Sequence, residues 1–256
     1  MNIPQNLALF SLNDKTALVT GGGSGIGQAI ALALAKAGAF VWLVSRSNAD
    51  RTISLIKECG GRGQFLSADV TDFKAINHTL SDIYNHSARI DILVNAAGIN
   101  MRTPANEMTF DIWQKTIDIN LSAPYQLSQL VVPTMKQNKW GRIINIASLQ
   151  SVRAFDHSIP YGASKGGVVQ LTRALAQAYS SDGILVNAIA PGFFHTPMTD
   201  KLFQDEHTVK TLAQKTMIKR NGQASDLFGI SVFLASDANS YVTGQTIFLD
   251  GGFSAQ

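Results

Sequence analysis

The chain has 256 residues, of which 45% are hydrophobic and 15% are charged. This length and apolar content predict a single globular domain over residues 1–256 and exclude a disordered chain. The formal net charge of +3 is spread along the sequence, with no basic run longer than Lys219-Arg220, so binding to nucleic acid is not expected.

Seven short runs rich in β-branched residues alternate along the chain with longer segments of helical periodicity. The predicted strands are residues 15–20, 40–44, 63–67, 90–94, 142–146, 185–190 and 246–249, and the predicted helices are residues 25–37, 49–60, 72–85, 110–135, 160–179 and 225–235. Because crossovers between parallel strands are right-handed, this order predicts an α/β fold: a doubly wound, seven-stranded parallel sheet (a Rossmann fold) in a three-layer α/β/α sandwich. Residues 195–220 show no clear pattern and are amphipathic, as expected of a lid over a substrate site.

A glycine-rich loop, Gly21-Gly22-Gly23-Ser24-Gly25-Ile26-Gly27, joins the first predicted strand to an alanine-rich helix. Glycines let a backbone approach a pyrophosphate closely, and the helix N-terminus offers unpaired N–H groups and partial positive charge. The spacing matches neither Gly-x-Gly-x-x-Gly nor the loop of triphosphate-binding proteins, and a merely tight turn is the competing interpretation. The position between a strand and a helix favours a dinucleotide site.

The second predicted strand is followed by Ser45 and Arg46. Enzymes that use NAD usually place a carboxylate here, on the ribose hydroxyls. A hydroxyl and a guanidinium suit a 2′-phosphate better, which predicts NADP(H) in preference to NAD(H). A solvated loop arginine is the alternative interpretation of Arg46.

The fifth predicted strand ends near Ser148, and Tyr161 and Lys165 begin the helix that follows. Residues four apart share one helix face, so the Lys165 ammonium is expected to lie near the Tyr161 phenol. A free phenol has a pKa of about 10, and a fixed cation is needed to lower it for base catalysis near neutral pH. Each residue alone has an ordinary structural explanation, a cap or a packed ring beside a solvated amine. Ser148 lacks the Gly-x-Ser-x-Gly turn of a serine hydrolase.

Taken in order, these motifs resemble the short-chain dehydrogenase/reductase family over nearly the whole chain. The matching pieces are residues 20–27, Asp69-Val70, Asn95-Ala96-Ala97-Gly98, Asn120, Ser148, Tyr161 with Lys165, and Pro191-Gly192. The resemblance implies an oxidoreductase that interconverts a secondary alcohol and a ketone by hydride transfer to or from a nicotinamide.

The resemblance also implies roles for single residues. Tyr161 would be the general acid/base, and Lys165 would lower its pKa and bind the nicotinamide ribose. Ser148 would hold the substrate oxygen, and Asn120 would kink its helix and hold a water of the proton relay. The implied cofactor contacts are Gly21, Gly23, Ser24, Gly25, Ile26, Gly27, Ser45, Arg46, Asp69, Val70, Asn95, Ala96, Gly98, Tyr161, Lys165, Pro191, Gly192 and Thr196.

The expected substrate pocket mixes polar, cationic and aromatic residues. Its candidate residues are Ser148, Gln150, Arg153, His157, Tyr161 and Phe193, bounded also by Ile99, Asn100, Arg102, Phe155, His195 and Met198. Residues 99–102 and 143–148 resemble gluconate and deoxygluconate dehydrogenases, which implies a sugar acid or polyol. Residues 190–193 are similar to 3-oxoacyl carrier-protein reductases, which implies an acyl chain instead. A third possibility is an NADP-binding regulator without turnover, although such proteins commonly lose the tyrosine or lysine retained here.

Assembly and location complete the expectations. Residues 243–252 resemble the last strand of the family and a contact region between subunits, which implies a homotetramer. A single cysteine, Cys59, cannot form an internal disulfide, and no Cys/His cluster has metal-site spacing, so no metal is expected. Residues 1–10 lack the pattern of a secretion signal and no apolar stretch is long enough to span a bilayer, which predicts a cytoplasmic protein without a membrane partner.

Overall fold

The computed structural model describes residues 8–256. The expectation about a signal sequence in residues 1–10 therefore falls largely outside the described residues. No helix in the described range is long and apolar enough to cross a bilayer.

A single parallel sheet forms the centre of the molecule. Its strands are β1 (Thr16–Thr20), β2 (Phe40–Ser45), β3 (Arg62–Ser67), β4 (Ile92–Asn95), β5 (Gly141–Ile146), β6 (Ile184–Pro191) and β7 (Thr246–Leu249). They pair side by side in the order β3-β2-β1-β4-β5-β6-β7, with every pair parallel. The predicted doubly wound sheet of seven strands is confirmed.

Helices cover both faces of the sheet. They are α1 (Gly25–Lys36), α2 (Asp50–Glu58), α3 (Phe73–Ser87), α4 (Phe110–Ile117), α5 (Ala123–Gln137), α6 (Ile159–Tyr179), α7 (Asp200–Phe203), α8 (Glu206–Gln214) and α9 (Asp226–Ala235). The buried apolar residues of α1, α2 and α9 pack on one face, and those of α3, α5 and α6 pack on the other. Strands β1 and β5 are buried along their whole length, as their apolar, β-branched sequences require in a sheet covered on both sides.

The predicted helix over residues 110–135 is wrong in one respect, because a π-helical turn, Asp118–Ser122, divides it into α4 and α5. In this turn the Ala123 N–H donates to the carbonyl of Asp118, five residues back. Pro124 follows directly; it has no N–H for an α-helical bond to Asn120, and its ring would crowd that carbonyl. The wider turn relieves both problems and turns Asn120 toward the neighbouring loop.

Most other boundaries differ from the sequence prediction by one or two residues. Strand β4 begins at Ile92 instead of residue 90, because the Asp91 carboxylate accepts a hydrogen bond from the Thr16 N–H (2.8 Å) and occupies the end of the ladder. Residues 195–220, for which the sequence showed no clear pattern, contain α7 and α8. The Met217 N–H beyond α8 donates to the carbonyl of Gly251 (2.8 Å), which ties the base of this segment to the loop after β7.

Candidate active site

A cleft of about 670 Å³ opens along the carboxyl ends of the strands, where β1 and β4 lie side by side and their connections leave in opposite directions. Parallel α/β sheets bind their ligands at this switch point. Of the 18 predicted cofactor contacts, all except Asn95 line the cleft. The predicted catalytic residues Ser148, Tyr161 and Lys165 line it as well, whereas Asn120 lies just beneath its surface.

The glycine loop forms one end of the cleft and has no room for side chains. Gly21 has φ +66°, and a Cβ there would lie 2.7 Å from the Ala97 Cα. A Cβ on Gly27 would lie 2.4 Å from the Gly21 carbonyl oxygen, so the loop packs directly on the first turn of α1. Ser24 caps α1 without a side-chain hydrogen bond to the helix, which leaves the N-terminal N–H groups facing the cleft for an anion.

Arg46 and Asp69 face each other at the far rim of the cleft. The Arg46 Nη1 lies 3.6 Å from the Asp69 Oδ2, and the arginine side chain is 57% exposed. Burial acts to raise the pKa of Asp69, but hydrogen bonds from Thr71 and the charges of Arg46 and Lys115 outweigh it and hold that pKa below its ordinary value. The guanidinium therefore lies at the rim of the cleft and stays open to solvent. A phosphate bound there could reach it directly.

Asn95, a further predicted cofactor contact, turns its side chain into the protein below the cleft. Asn95 is buried, and its Nδ2 donates to the Oδ1 of Asn145 on the neighbouring strand (2.8 Å). The loop after β4 is instead held by Thr20, whose Oγ1 accepts hydrogen bonds from the N–H groups of Ala96 (3.2 Å) and Ala97 (3.3 Å). This link keeps the ends of β1 and β4 together at the floor of the cleft.

Ser148 and Tyr161 meet because a short turn carries the chain from β5 back to α6. Ser148 caps the turn Leu149–Ser151, and its hydroxyl accepts a hydrogen bond from the Gln150 N–H (3.1 Å). The Ser151 hydroxyl donates to the Lys165 carbonyl (2.9 Å), which ties the turn to α6. The serine side chain lies close enough to Tyr161 to act on the pKa of its phenol, and both residues line the cleft.

Lys165 lies beneath Tyr161, as the four-residue spacing predicted. Its Nζ is 5.6 Å from the centre of the tyrosine ring and donates to the Ile146 carbonyl (2.6 Å). Only 4% of Lys165 is exposed, and burial lowers the pKa of its ammonium from 10.5 to about 8.

The predicted lowering of the Tyr161 pKa does not occur. Burial raises the pKa of the Tyr161 phenol above its ordinary value, and the opposing effects of the Ser148 hydrogen bond and the Arg102 charge are smaller. The reason is the exclusion of water from the phenol, which disfavours the phenolate. Tyr161 consequently holds its proton at neutral pH in this structure.

Asn120 connects the π-helical turn to the loop after β4. Its Oδ1 accepts from the Ile99 N–H (2.9 Å), and its Nδ2 donates both to the Ile99 carbonyl (2.9 Å) and to the Ser164 hydroxyl (3.1 Å). Its amide thus fixes the backbone that follows Gly98 and joins that loop to the helix of Tyr161 and Lys165.

Four predicted substrate residues, Gln150, Arg153, His157 and Phe193, do not line the cleft. Gln150 lies against the backbone of Gly162, and the His157 carbonyl accepts from the Thr103 N–H (3.0 Å) in a turn where His157 has φ +61°. Both residues contribute to the packing of the loop in this structure, and their contact with a substrate stays a prediction.

The other two belong to a neighbouring cluster. The Arg153 Nη2 donates to the carbonyls of Ser254 (3.3 Å) and Gln256 (2.8 Å). The Phe193 ring packs edge-on against Phe155, with centroids 5.8 Å apart, and also against Phe253 at 5.6 Å. Arg153 and Phe193 therefore hold the chain after β7 against the loop after Ser148.

Several cleft residues were not among the predicted contacts. Ser47 and Asn48 extend the rim beyond Arg46, and Met101, Pro197 and Thr199 line the opposite end. These five residues are close in the sequence to predicted contacts, and that proximity could have identified them. The apolar lining residues, by contrast, are ordinary in the sequence and become recognisable only in the fold: Ala68, Ala97, Ile119, Ile146, Ala147 and Phe194.

The residues present fit a dinucleotide. The Gly21 and Gly27 packing leaves a cradle of bare backbone at one end of the cleft, and a Cβ added to Gly98 would lie 3.7 Å from the Lys165 Nζ at the other. A pyrophosphate suits the first, and a ribose that hydrogen-bonds to an ammonium suits the second. Within residues 8–256, no group of three His, Cys, Asp or Glu side chains is arranged to hold a metal ion.

Nearly the whole chain is similar in sequence to known proteins. The family model described as enoyl-(acyl carrier protein) reductase matches residues 21–254. A 2-dehydro-3-deoxy-D-gluconate 5-dehydrogenase of Bacillus subtilis is 40% identical over 245 residues, which cover 95% of this chain and 96% of the relative. A 3-oxoacyl-(acyl-carrier-protein) reductase of Pseudomonas aeruginosa is 39% identical over 245 residues, or 95% of this chain and 98% of the relative.

A solved structure agrees with the observed fold. The gluconate 5-dehydrogenase of Burkholderia cenocepacia, crystallised with NADP and tartrate, superimposes with a TM-score of 0.92 at 35% identity and covers 98% of this chain and 99% of its own. The similarity spans every strand and helix around the cleft. Relatives with sugar-acid names and with acyl-carrier names are about equally similar, so sequence identity does not select between the two substrates.

Proposed function

The chain belongs to the short-chain dehydrogenase/reductase family, and from this premise we propose that it reduces a ketone or oxidises a secondary alcohol of a sugar acid. NADP(H) is the preferred dinucleotide and NAD(H) the alternative. The observation that carries the reaction class is the convergence of Ser148, Tyr161 and Lys165 on one point of the cleft beside Gly98.

In the reductive direction the protein's part is to hold the carbonyl and supply a proton. The bound NADPH supplies the hydride. The Ser148 and Tyr161 hydroxyls donate hydrogen bonds to the carbonyl oxygen, and the phenolic proton moves to that oxygen as the C–H bond forms. The raised pKa of Tyr161 keeps this proton in place until it is needed. The Lys165 ammonium beneath the ring then stabilises the phenolate that remains.

Arg102 favours a sugar acid over an acyl chain. Its positive charge opposes the effect of burial on the Tyr161 phenol, although burial prevails and the pKa of Tyr161 stays above its ordinary value. Arg153, the other arginine considered for this role, is already bonded to two carbonyls. His195 pairs with Asp200 (3.0 Å) and stacks on Phe203. An exposed cation directly after Met101 of the cleft suits a substrate carboxylate.

The proposal is tested by a substrate panel followed through NADPH absorbance. Keto-sugar acids, 3-oxoacyl thioesters and a plain ketone are compared for the wild type, Tyr161→Phe and Arg102→Met. We expect turnover of a keto-sugar acid and at least a hundredfold loss of kcat in Tyr161→Phe. Arg102→Met is expected to raise KM for the keto-sugar acid roughly tenfold or more. NADPH binding, followed by fluorescence, should be the same in all three proteins.

Each remaining outcome has a definite meaning. Turnover of the thioester alone would show that the substrate is an acyl chain and not a sugar acid. This is the second candidate because the relative from Pseudomonas aeruginosa is a 3-oxoacyl-(acyl-carrier-protein) reductase. Full activity in Tyr161→Phe would refute the assigned acid. NADPH binding with no turnover of any carbonyl compound would support the third possibility, an NADP-binding regulator without catalytic activity.

We propose further that the protein is a cytoplasmic homotetramer of single-domain subunits in which residues 195–220 act as a substrate lid. The single cysteine supports a reducing compartment. Family analogy supports the tetramer, and the placement of α7 and α8 beside Thr196, Pro197 and Met198 of the cleft supports the lid. Cell fractionation tests the location.

A further inference from the structure

The loop after β4 presents one side chain whose role the reaction does not explain. Gly98 borders the dinucleotide part of the cleft, and the backbone of Ile99 is held at both its N–H and its carbonyl by Asn120. The next residue, Asn100, therefore extends from a fixed backbone and lines the same cleft. Fixed geometry of this kind is what a specificity contact requires.

The amide of Asn100 is only half satisfied. Its Nδ2 lies 3.5 Å from the Ser158 hydroxyl, a long hydrogen bond. Its Oδ1 is enclosed and has no hydrogen-bond partner among the described residues. Buried amide oxygens nearly always have a donor. This oxygen is closed to water as the side chain stands, but Asn100 lines the cleft, so a turn of the side chain toward a bound ligand would give the oxygen a donor.

Asn100 belongs to the substrate end of the cleft. Ser158, its neighbour, is buried and precedes Tyr161 by three residues at the start of α6. The two loops are joined again where the Thr103 N–H donates to the carbonyl of His157 (3.0 Å). The glycine loop and Arg46 form the opposite, phosphate-binding end.

We propose that Asn100 is a specificity-determining residue that accepts a hydrogen bond from a substrate hydroxyl near the reacting carbonyl. The inference rests on the proposed function and deepens it. A polyhydroxylated substrate supplies the missing donor, whereas an acyl chain leaves the oxygen buried and unpaired. A site built around such a hydrogen bond discriminates against the analogue that lacks the hydroxyl.

The test compares a keto-sugar acid with deoxy analogues that each lack one hydroxyl next to the carbonyl. The measured quantity is the ratio of kcat/KM for the hydroxylated compound to that for its deoxy analogue. Wild-type enzyme is expected to favour the hydroxylated compound, and Asn100→Leu is expected to lower this ratio roughly tenfold. Asn100→Asp keeps an acceptor oxygen at the same place and is expected to retain a larger ratio than Asn100→Leu.

Asn106→Leu is the matched control, since Asn106 lies exposed in the same loop, outside the cleft. Its ratio should equal that of the wild type. Thermal melting and NADPH binding identify a variant that has merely unfolded, and Asn100→Ala, a smaller change, then takes the place of Asn100→Leu.

Two failures are distinguishable. If wild-type enzyme reduces the keto-sugar acid but Asn100→Leu keeps the wild-type ratio for every analogue, the role of Asn100 is refuted and the proposed function stands. If wild-type enzyme reduces plain ketones or thioesters and no hydroxylated acid, the proposed substrate is refuted and the assignment of Asn100 falls with it.

Discussion

We propose that cofactor choice depends on Arg46 at the rim of the cleft. It lies 3.6 Å from Asp69 and is largely open to solvent, so a bound 2′-phosphate would gain a charge-assisted contact. We predict that Arg46→Ala lowers kcat/KM with NADPH roughly tenfold or more and changes the value with NADH little. Steady-state kinetics with both cofactors measure this.

Arg51→Ala is the control for that prediction. Arg51 is exposed on α2 and pairs with Glu58, away from the cleft. Arg51→Ala should leave kcat/KM unchanged with both NADPH and NADH. An equal loss with NADPH and NADH in Arg46→Ala would show that the arginine supports the loop rather than the phosphate.

The spacing of two residues in the sequence can be enough to predict their contact. The four-residue separation of Tyr161 and Lys165 was enough to predict their stacking, since a helix repeats every 3.6 residues. It was not enough to predict the direction of the Tyr161 pKa. That direction depends on how far the fold keeps water from the phenol, an effect that outweighs Ser148 and Arg102.

At the scale of elements, the connection from β5 to α6 is held by the chain after β7. Arg153 donates to the carbonyls of Ser254 and Gln256, and Phe155 packs 6.3 Å from the Phe253 ring centre. The same end segment contacts the base of residues 195–220, where the Gln256 side chain donates to the Lys215 carbonyl. Three loops around the substrate end of the cleft thus share one support.

We predict that Arg153→Met loosens residues 149–157 and raises KM for the substrate about three- to tenfold, with NADPH affinity unchanged. Faster amide hydrogen exchange in residues 149–157, measured by mass spectrometry, is the structural readout. Arg173→Met is the control, because Arg173 is exposed on α6 and bonds only to Gln170 in the described residues. A higher KM without faster exchange would instead mean that Arg153 touches the substrate directly.

The break between α4 and α5 is a second feature of this scale. Apolar periodicity continues through residues 110–135 and predicts one helix, because a π-helical turn adds only one residue to the repeat. Pro124 marks the place in the sequence, yet proline is also common in the first turn of an ordinary helix. The wider turn matters because it carries Asn120, which fixes the loop bearing Ile99 and Asn100.

At the scale of the whole molecule, two surfaces bear on assembly. Tyr241, in the turn before β7, is 97% exposed, and Phe110 at the start of α4 is 73% exposed. Single exposed aromatic side chains are common on proteins, so these two are candidates for an interface that mutation can test. We predict that light scattering after size exclusion gives the mass of four chains, and that Phe110→Asp or Tyr241→Asp gives a smaller assembly. A monomer at micromolar concentration would contradict the proposed tetramer.

The sequence by itself determined the alternation of strands and helices, the glycine cradle and the pairing of Tyr161 with Lys165. These follow from short-range rules: backbone periodicity, the room that glycine leaves, and the meeting of parallel strand ends at one edge. The tertiary structure decided the rest, including the contacts of Arg153 and Phe193 with the chain after β7 and the inward turn of Asn95. It also decided the unpaired oxygen of Asn100. Such features depend on which distant loops pack together and how far they exclude water, and no local pattern encodes that.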